Sequence, residues 1–449
     1  MKGREKEMFG YSMVQMVRMH ADKLEKPLRE EVLNGYRPFK WTPCFLHRMF
    51  EGYVKKRKKL SLIVEFEENY YEADCIKLHE VLERHSGCKF KHDFARISCC
   101  SAQVTPSGLE DLLTQCNHIK KVYLNHEVNA LLDVAVPAAN AHNIVRNRAR
   151  LTGKGVTIAV VDTGIHPHQD LNGRITGFVD FINDRSEPYD DNGHGTHCAG
   201  DAAGDGAASN GKYQGPAPEA DVIGVKVLDK IGSGSLETVM EGVEWCIKYN
   251  EEQPNKRIDI ISMSLGAAAQ NFGSENQDPM VKMVEAAWDA GIVVCVAAGN
   301  EGPEPKTIAS PGVSDQVITV GALDDKNTAE TRSDDEVANF SSRGPTIYDV
   351  IKPDILAPGV NIVSLRSPGS YLDKAQKTAR VEDHYFMLSG TSMATPICAG
   401  IVALVKERHP EDSPKEIKDR LMRNADLLWK DKNPNVYGAG YINGEKAIN

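Results

Sequence analysis

Residues 156–162 read "VTIAVVD", an apolar, largely β-branched run closed by an aspartate. A run that is apolar at nearly every position, rather than at alternate ones, describes a strand covered on both faces. Four further runs of this kind follow: "DVIGVKVL" (221–228), "IDIISMSL" (258–265), "GIVVCVAAGN" (291–300) and "QVITVGAL" (316–323). Helical periodicity fills the intervals, as in "LETVMEGVEWCIKYNEE" (236–252) and "MVKMVEAAWDA" (280–290). This alternation predicts an α/β fold built on a doubly wound, mainly parallel sheet. Chemistry in such sheets gathers beyond the carboxyl ends of the strands. The residues that close the runs are therefore the ones to inspect: Asp162, Leu228, Ser264 with Gly266, and Asn300.

The chain before residue 150 has a different texture. Residues 60–133 read as β-α-β-α-β: "LSLIVEF", "EADCIKLHEVLERHS", "FARISCCSAQV", "SGLEDLLTQC" and "IKKVYLN", with room for a further strand at "CKFKHD". That order predicts a small α+β domain of the split βαβ type. The following "HEVNALLDVAVPAANAHN" has little periodicity and reads as a connector. The chain thus divides into a basic N-terminal segment, 1–59, of no assigned role, a small α+β domain, 60–133, and an α/β domain, 134–449. A chain of 449 residues exceeds one typical domain, in keeping with this division.

Charge is uneven: the first 60 residues carry a balance of +8, although the whole chain stands at −10. "KKRKK" (55–59) reads as a solvated basic run, so no nucleic-acid partner is expected. No stretch of 18 apolar residues exists, so no membrane partner is expected either. The N-terminus lacks the apolar core of a secretory signal, and the ten cysteines show no paired spacing. Together these predict reduced thiols and a cytoplasmic location.

"SGTSMATPIC" (389–398) opens an apolar helical run whose basic residues, Lys406, Arg408 and His409, gather at the far end as the helix dipole prefers. Ser392 therefore sits at a helix start, where free N–H groups stabilise developing negative charge. Thr391 or Ser392 as a simple N-cap is the competing reading. Pro396 is out of place for helix stability alone, because it denies the Ser392 carbonyl its helical donor. A hydroxyl nucleophile needs an imidazole base, a carboxylate to orient it and donors for the oxyanion. His194 in "DDNGHGTHCAG", Asp162 and Asn300 supply each.

"DTGI", "GHGTHCAG", "SMSLG", "AAGN" and "GTSMATP", in that order, resemble the subtilase family of serine proteases over roughly residues 130–445, in particular its intracellular bacterial members. The resemblance implies a subtilisin-like fold and an endopeptidase that acts on protein or peptide substrates through Asp162, His194 and Ser392. It implies Asn300, with the Ser392 N–H, as the oxyanion hole. It also implies that residues 60–133 are an inhibitory propeptide, that the chain is a zymogen, and that it processes itself between Asn125 and Ala138. The S1 pocket would be walled by Ser264, Leu265 and Gly266 opposite Ala297, Ala298 and Gly299, with Ala309 at its floor and Glu301 at its rim. Apolar or medium P1 side chains are expected.

No cofactor is needed for this chemistry. Asp170 matches a calcium-ligating aspartate of the family, whereas "GDGAASNGKYQG" differs in length and residues from the loop that supplies the other ligands, so structural calcium stays open. Residues 366–384 read as an insertion, either a lid or a surface loop. Cys198, one turn after His194, is either a buried small hydrophobe or an approachable thiol; some subtilases with the same "HGTHC" string are sensitive to mercurials. A binding protein on a dead protease fold would lack one member of the set, and none is missing. An esterase would show "GxSxG", which "LSGTSMA" does not.

Overall fold

The structure is a computed structural model, and it describes residues 12–34, 55, 58–125, 127–130, 138–146, 148–326, 332 and 334–449. Lys56 and Arg57 of "KKRKK", Cys44 and connector residues 131–137 lie outside the described residues. The chain forms two compact units, Met1–His126 and Glu127–Asn449.

In the N-terminal unit, strands Leu60–Phe66, Lys89–Phe94, Cys99–Val104 and Ile119–Leu124 form an antiparallel sheet. From edge to edge the order is 89–94, 99–104, 60–66, 119–124. Each of the helices Tyr71–Glu83 and Pro106–Gln115 joins two strands separated by a third, the split βαβ arrangement read from the sequence. "FARISCCSAQV" is not one strand: Ala95–Ile97 form a 3₁₀ turn and Ser98 is left-handed, so the chain reverses before Cys99. The segment 1–59 is not wholly separate from this unit. Helices Ser12–Met19 and Lys26–Asn34 and the turn between them bury Met13, Met16, Val17, Leu24, Leu28 and Val32 in the same core as Leu62, Val64 and Val122. Backbone bonds from Glu25 N to Val122 O (3.0 Å) and from Val122 N to Lys23 O (2.8 Å) dock the turn between them on the edge strand.

The second unit carries an eight-stranded sheet. Its order is Ile175–Asp180, Asp221–Lys226, Thr157–Asp162, Ile260–Met263, Val293–Ala297, Ile318–Asp324, with Ile355–Pro358 and Glu336–Val337 both on the last. All pairings are parallel except that of Glu336–Val337. Every residue of Thr157–Asp162 after the first is buried, as the unbroken apolar run requires. From Thr157–Asp162 the chain winds out to 175–180, back to 221–226, then across to 260–263. The winding direction reverses there, so the carboxyl ends of 157–162 and 260–263 flank a switch point.

The contact boundary, 126/127, falls earlier than the 133/134 read from the sequence, because Glu127–Ala130 pairs with strands of the second unit, Ser233–Ser235 and Leu265–Gly266. Among the described residues, no helix is long and apolar enough to cross a membrane.

Candidate active site

Asp162 closes its strand at the switch point, and His194 opens the helix His194–Ala203. The two elements approach closely because residue 195 has no side chain. A Cβ on Gly195 would lie 2.2 Å from the Gly164 carbonyl oxygen and 3.1 Å from Asp162 Cβ. His194 Nδ1 lies 2.8 Å from Asp162 Oδ1, and neither side chain has exposed surface. An ionised carboxylate can only accept, so Nδ1 carries the proton and Nε2 is left as the basic nitrogen. Burial works against a charged His194, but the adjacent Asp162 carboxylate, with Cys198 beside it, holds the imidazole well above its ordinary value.

A network that the sequence reading did not single out holds the start of this helix. Asp190 Oδ1 accepts from Thr163 Oγ1 (3.0 Å), Asn192 N (3.1 Å) and Gly193 N (2.8 Å). Its Oδ2 accepts from Thr196 N (2.9 Å) and Thr196 Oγ1 (2.7 Å). One carboxylate thus satisfies three N–H groups of the turn and first helical residues, which have no intrahelical acceptor. Lys226, fully buried, donates to Thr163 O (2.6 Å), Asp191 Oδ1 (2.8 Å) and Leu228 O (2.9 Å). A lysine inside the apolar run "VIGVKVL" was the available signal for it. His197, the other histidine of "HGTH", is a buried structural residue that bonds Asp201 (3.0 Å) and lies 3.2 and 3.1 Å from the carbonyls of Ile362 and Phe386.

Ser392 is the second residue of the helix Thr391–Arg408. Because Pro396 has no N–H, the Ser392 carbonyl lacks its helical donor. It accepts instead from Ser264 Oγ at 2.6 Å and from the Cys198 thiol at 3.5 Å. In return Ser392 Oγ donates to Ser264 O at 3.2 Å. The proline therefore ties the serine helix to the end of the 260–263 strand and to the histidine helix. Cys198 is fully buried, 3.9 Å from both His194 Nδ1 and Asp162 Oδ2, and burial pushes its thiol up to about 12. Asn300 Oδ1 accepts from Thr391 N (3.0 Å) and Thr391 Oγ1 (3.1 Å), which fixes the amide and makes Nδ2 its donor end.

The two walls read as the S1 pocket converge. Ala309 N donates to Ala298 O (2.8 Å), and Ala267 exchanges two backbone bonds with Ser310 (3.0 and 2.9 Å). Ala309 and Ser310 thus bridge Ala298 and Ala267, the residue after Gly266. Gly299 has φ +111°, and a Cβ there would press on Ser342 Oγ at 2.7 Å and Ala309 at 3.2 Å. Glu127–Ala130 runs antiparallel between Ser233–Ser235 and Leu265–Gly266, with Ala130 opposite Leu265 and Asn129 opposite both Gly266 and Ser233.

Asp170 is fully buried, and both carboxylate oxygens are engaged by donors: Ala208 N on Oδ1 (2.8 Å) and Tyr385 OH on Oδ2 (2.7 Å). The Arg174 guanidinium donates to the Asp170 carbonyl and to those of Ala203 (2.7 Å) and Ala220 (2.9 Å). The Ala208 and Tyr385 donors take one acceptor site on each carboxylate oxygen of Asp170, and a carboxylate offers about four in all.

Comparison with known proteins decides the family. The model of the subtilase family matches residues 153–440. The chain belongs to this family. It is 62% identical over 441 residues to "Serine protease AprX" of Bacillus subtilis (strain 168), covering 98% of this chain and 99% of that protein. It is 35% identical to a thermostable alkaline protease of Halalkalibacterium halodurans, over 88% of this chain and 92% of the relative. With subtilisin E of Bacillus subtilis it shares 30% identity, over 91% and 95%. The fold matches crystalline fervidolysin from Fervidobacterium pennivorans with a TM-score of 0.66 at 20% identity, covering 87% of this chain and spanning 61% of fervidolysin. This subtilase is a subtilisin-like serine endopeptidase.

Proposed function

We propose that this endopeptidase cleaves peptide bonds through Asp162, His194 and Ser392 and an acyl-enzyme. The observation that carries the reading is the buried 2.8 Å bond from His194 Nδ1 to Asp162, which commits the proton to Nδ1 and leaves Nε2 basic. In this mechanism Nε2 takes the Ser392 hydroxyl proton as Oγ attacks the scissile carbonyl, and returns it to the leaving amine. Asp162 holds the tautomer and stabilises the imidazolium. Asn300 Nδ2 and the Ser392 N–H receive the oxyanion. Water then repeats the sequence on the acyl-enzyme.

Ser392→Ala is expected to leave only about 10³- to 10⁴-fold acceleration over water. Asn300→Ala is expected to lose about 10²- to 10³-fold in kcat with little change in KM. Casein hydrolysis and labelling by a fluorophosphonate probe read both. A Ser392→Ala protein with near-native turnover would refute the assignment.

Small and apolar walls, with the Ala309 methyl at the floor, favour apolar or medium P1 side chains. Substrate adds as a strand between Ser233–Ser235 and Leu265–Gly266. Glu127–Ala130 holds that place from within the chain, which supports the reading of the preceding unit as an inhibitor, of the chain as a zymogen, and of self-cleavage between Asn125 and Ala138. The wild-type chain cut in that segment, beside an intact Ser392→Ala chain, is the expected outcome; equal cutting of both sinks it. The unpaired spacing of the ten cysteines in the sequence supports a cytoplasmic location. Asp170 acts as a structural acceptor for Tyr385 and Ala208.

A further inference from the structure

In the N-terminal unit, Cys75 on the helix Tyr71–Glu83 and Cys100 on the central strand Cys99–Val104 place their sulfurs 3.1 Å apart. The Tyr71 hydroxyl donates to Asp93 and lies 3.2 Å from the Cys99 carbonyl and 3.4 Å from Cys100 Sγ, which fixes the first turn of the helix against the strand. Cys75 is half-buried, whereas Cys100 has no exposed surface. Cys75 is thus the more accessible of the two, and its sulfur is in contact with that of Cys100.

We infer that Cys75 and Cys100 are an oxidisable thiol pair that forms a disulfide with hydrogen peroxide and reopens with a dithiol reductant. The Cys75 thiolate attacks one peroxide oxygen; the S–O bond forms, the O–O bond breaks, and hydroxide leaves as water. Cys100 sulfur then displaces the hydroxyl from Cys75. The S–S bond forms, the S–O bond breaks, and the Cys100 proton departs with hydroxide as a second water, so two electrons pass from the two thiols to one peroxide. The Cys100 hydrogen bond holds the Cys75 thiol below its ordinary value, which favours Cys75 as the attacking sulfur. Cys198, buried and held up to about 12, is protected from the same reagent.

The bond ties the helix to the strand at the centre of the sheet and removes freedom from the unfolded unit. Resting on the proposal that this unit inhibits the protease, oxidation delays activation, because the stapled unit opens and is degraded more slowly.

The chemistry is tested on full-length Ser392→Ala protein, which cannot cut itself by the proposed mechanism. After peroxide and alkylation, the expected result is the loss of two of the ten alkylatable thiols and a linked peptide joining residues 75 and 100, reversed by dithiothreitol. Cys75→Ser should give no linked peptide. Sulfinic acid on Cys75 with Cys100 still free, or linkage to Cys88, Cys99 or Cys116, overturns the inference. In the wild-type chain, peroxide should lengthen the lag before peptidase activity severalfold, and Cys75→Ser should abolish that change. A linked 75–100 peptide with an unchanged lag overturns the inhibitory reading of the unit and leaves the thiol pair standing.

Discussion

The Ser264 hydroxyl donates to the Ser392 carbonyl at 2.6 Å, in the place of the helical N–H that Pro396 lacks. Ser264→Ala removes the stronger of that carbonyl's two donors and leaves the Cys198 thiol, a weak one at 3.5 Å. A buried acceptor so deprived destabilises the fold by about 1–3 kcal/mol. The expected outcome is a lower Tm and a reduced kcat, since the carbonyl fixes the start of the serine helix. Thermal unfolding of Ser264→Ala in the Ser392→Ala background isolates the stability effect from self-digestion; an unchanged Tm refutes the argument.

The pH dependence follows from the Asp162–His194 pair. His194 acts as a base only when neutral, and Asp162 holds its pKa well above the ordinary imidazole value. The acid limb of kcat/KM should therefore lie above about pH 6.5, and activity should rise toward alkaline pH. In Asp162→Asn the attraction is gone while the burial remains, so the limb moves to lower pH, with kcat down by about 10⁴-fold. A pH profile of the variant with its limb unmoved would show that Asp162 does not set this titration.

The insertion at 366–384 is a folded element pinned to the turn that precedes His194. Tyr371 N and Leu372 N donate to the carbonyls of Asp191 (2.8 Å) and Asn192 (3.0 Å), and Ser367 Oγ donates to Asp190 O (2.7 Å). Asp373 clamps the segment internally by accepting from Arg366 (2.6 Å), Gly369 N (2.9 Å) and Arg380 (2.7 Å). Burial opposes the charge, but these donors prevail and hold the carboxyl down to about 2. A depressed carboxyl contributes stability above the unfolded value, near pH 4, and that contribution is lost as pH falls through about 2. Asp373→Asn should thus destabilise by about 2 kcal/mol at neutral pH and much less at pH 2, and should lower kcat/KM through the 190–193 turn. Denaturation at the two pH values separates this from a general loss of packing.

What the sequence made legible was set by local rules. Unbroken apolar runs marked the strands, the switch-point rule drew attention to Asp162 and Asn300, and the misplaced Pro396 pointed to a carbonyl in need of another donor. Asp190 escaped because its role lies in five hydrogen bonds to a turn whose path no spacing reveals. The insertion stayed undecided between lid and loop because Arg366, Asp373 and Arg380 read as ordinary surface charges until folding brings them together. Helices 12–19 and 26–34 are too short for periodicity to separate them from a basic tail. Asp170 was read through resemblance, which carries an aspartate across but not the Tyr385 hydroxyl and Ala208 N–H that bond its two oxygens.

Cys198 had two readings, and its environment distinguishes them. The thiol has no exposed surface, and burial raises it to about 12, so little thiolate exists at neutral pH. Its hydrogen points at the Ser392 carbonyl, and its sulfur lies 3.9 Å from both His194 Nδ1 and Asp162 Oδ2. A bulky group attached there would displace His194 from Asp162. A mercurial must wait for the helix to open, so inactivation should be slow and first-order, with a rate that stops rising with reagent once opening limits it. Cys198→Ala should stay active, because Ser264 still serves the carbonyl, and should resist the reagent. Rapid stoichiometric inactivation of the wild type would show the thiol to be approachable in the folded enzyme. Equal sensitivity of Cys198→Ala would place the reactive sulfur elsewhere.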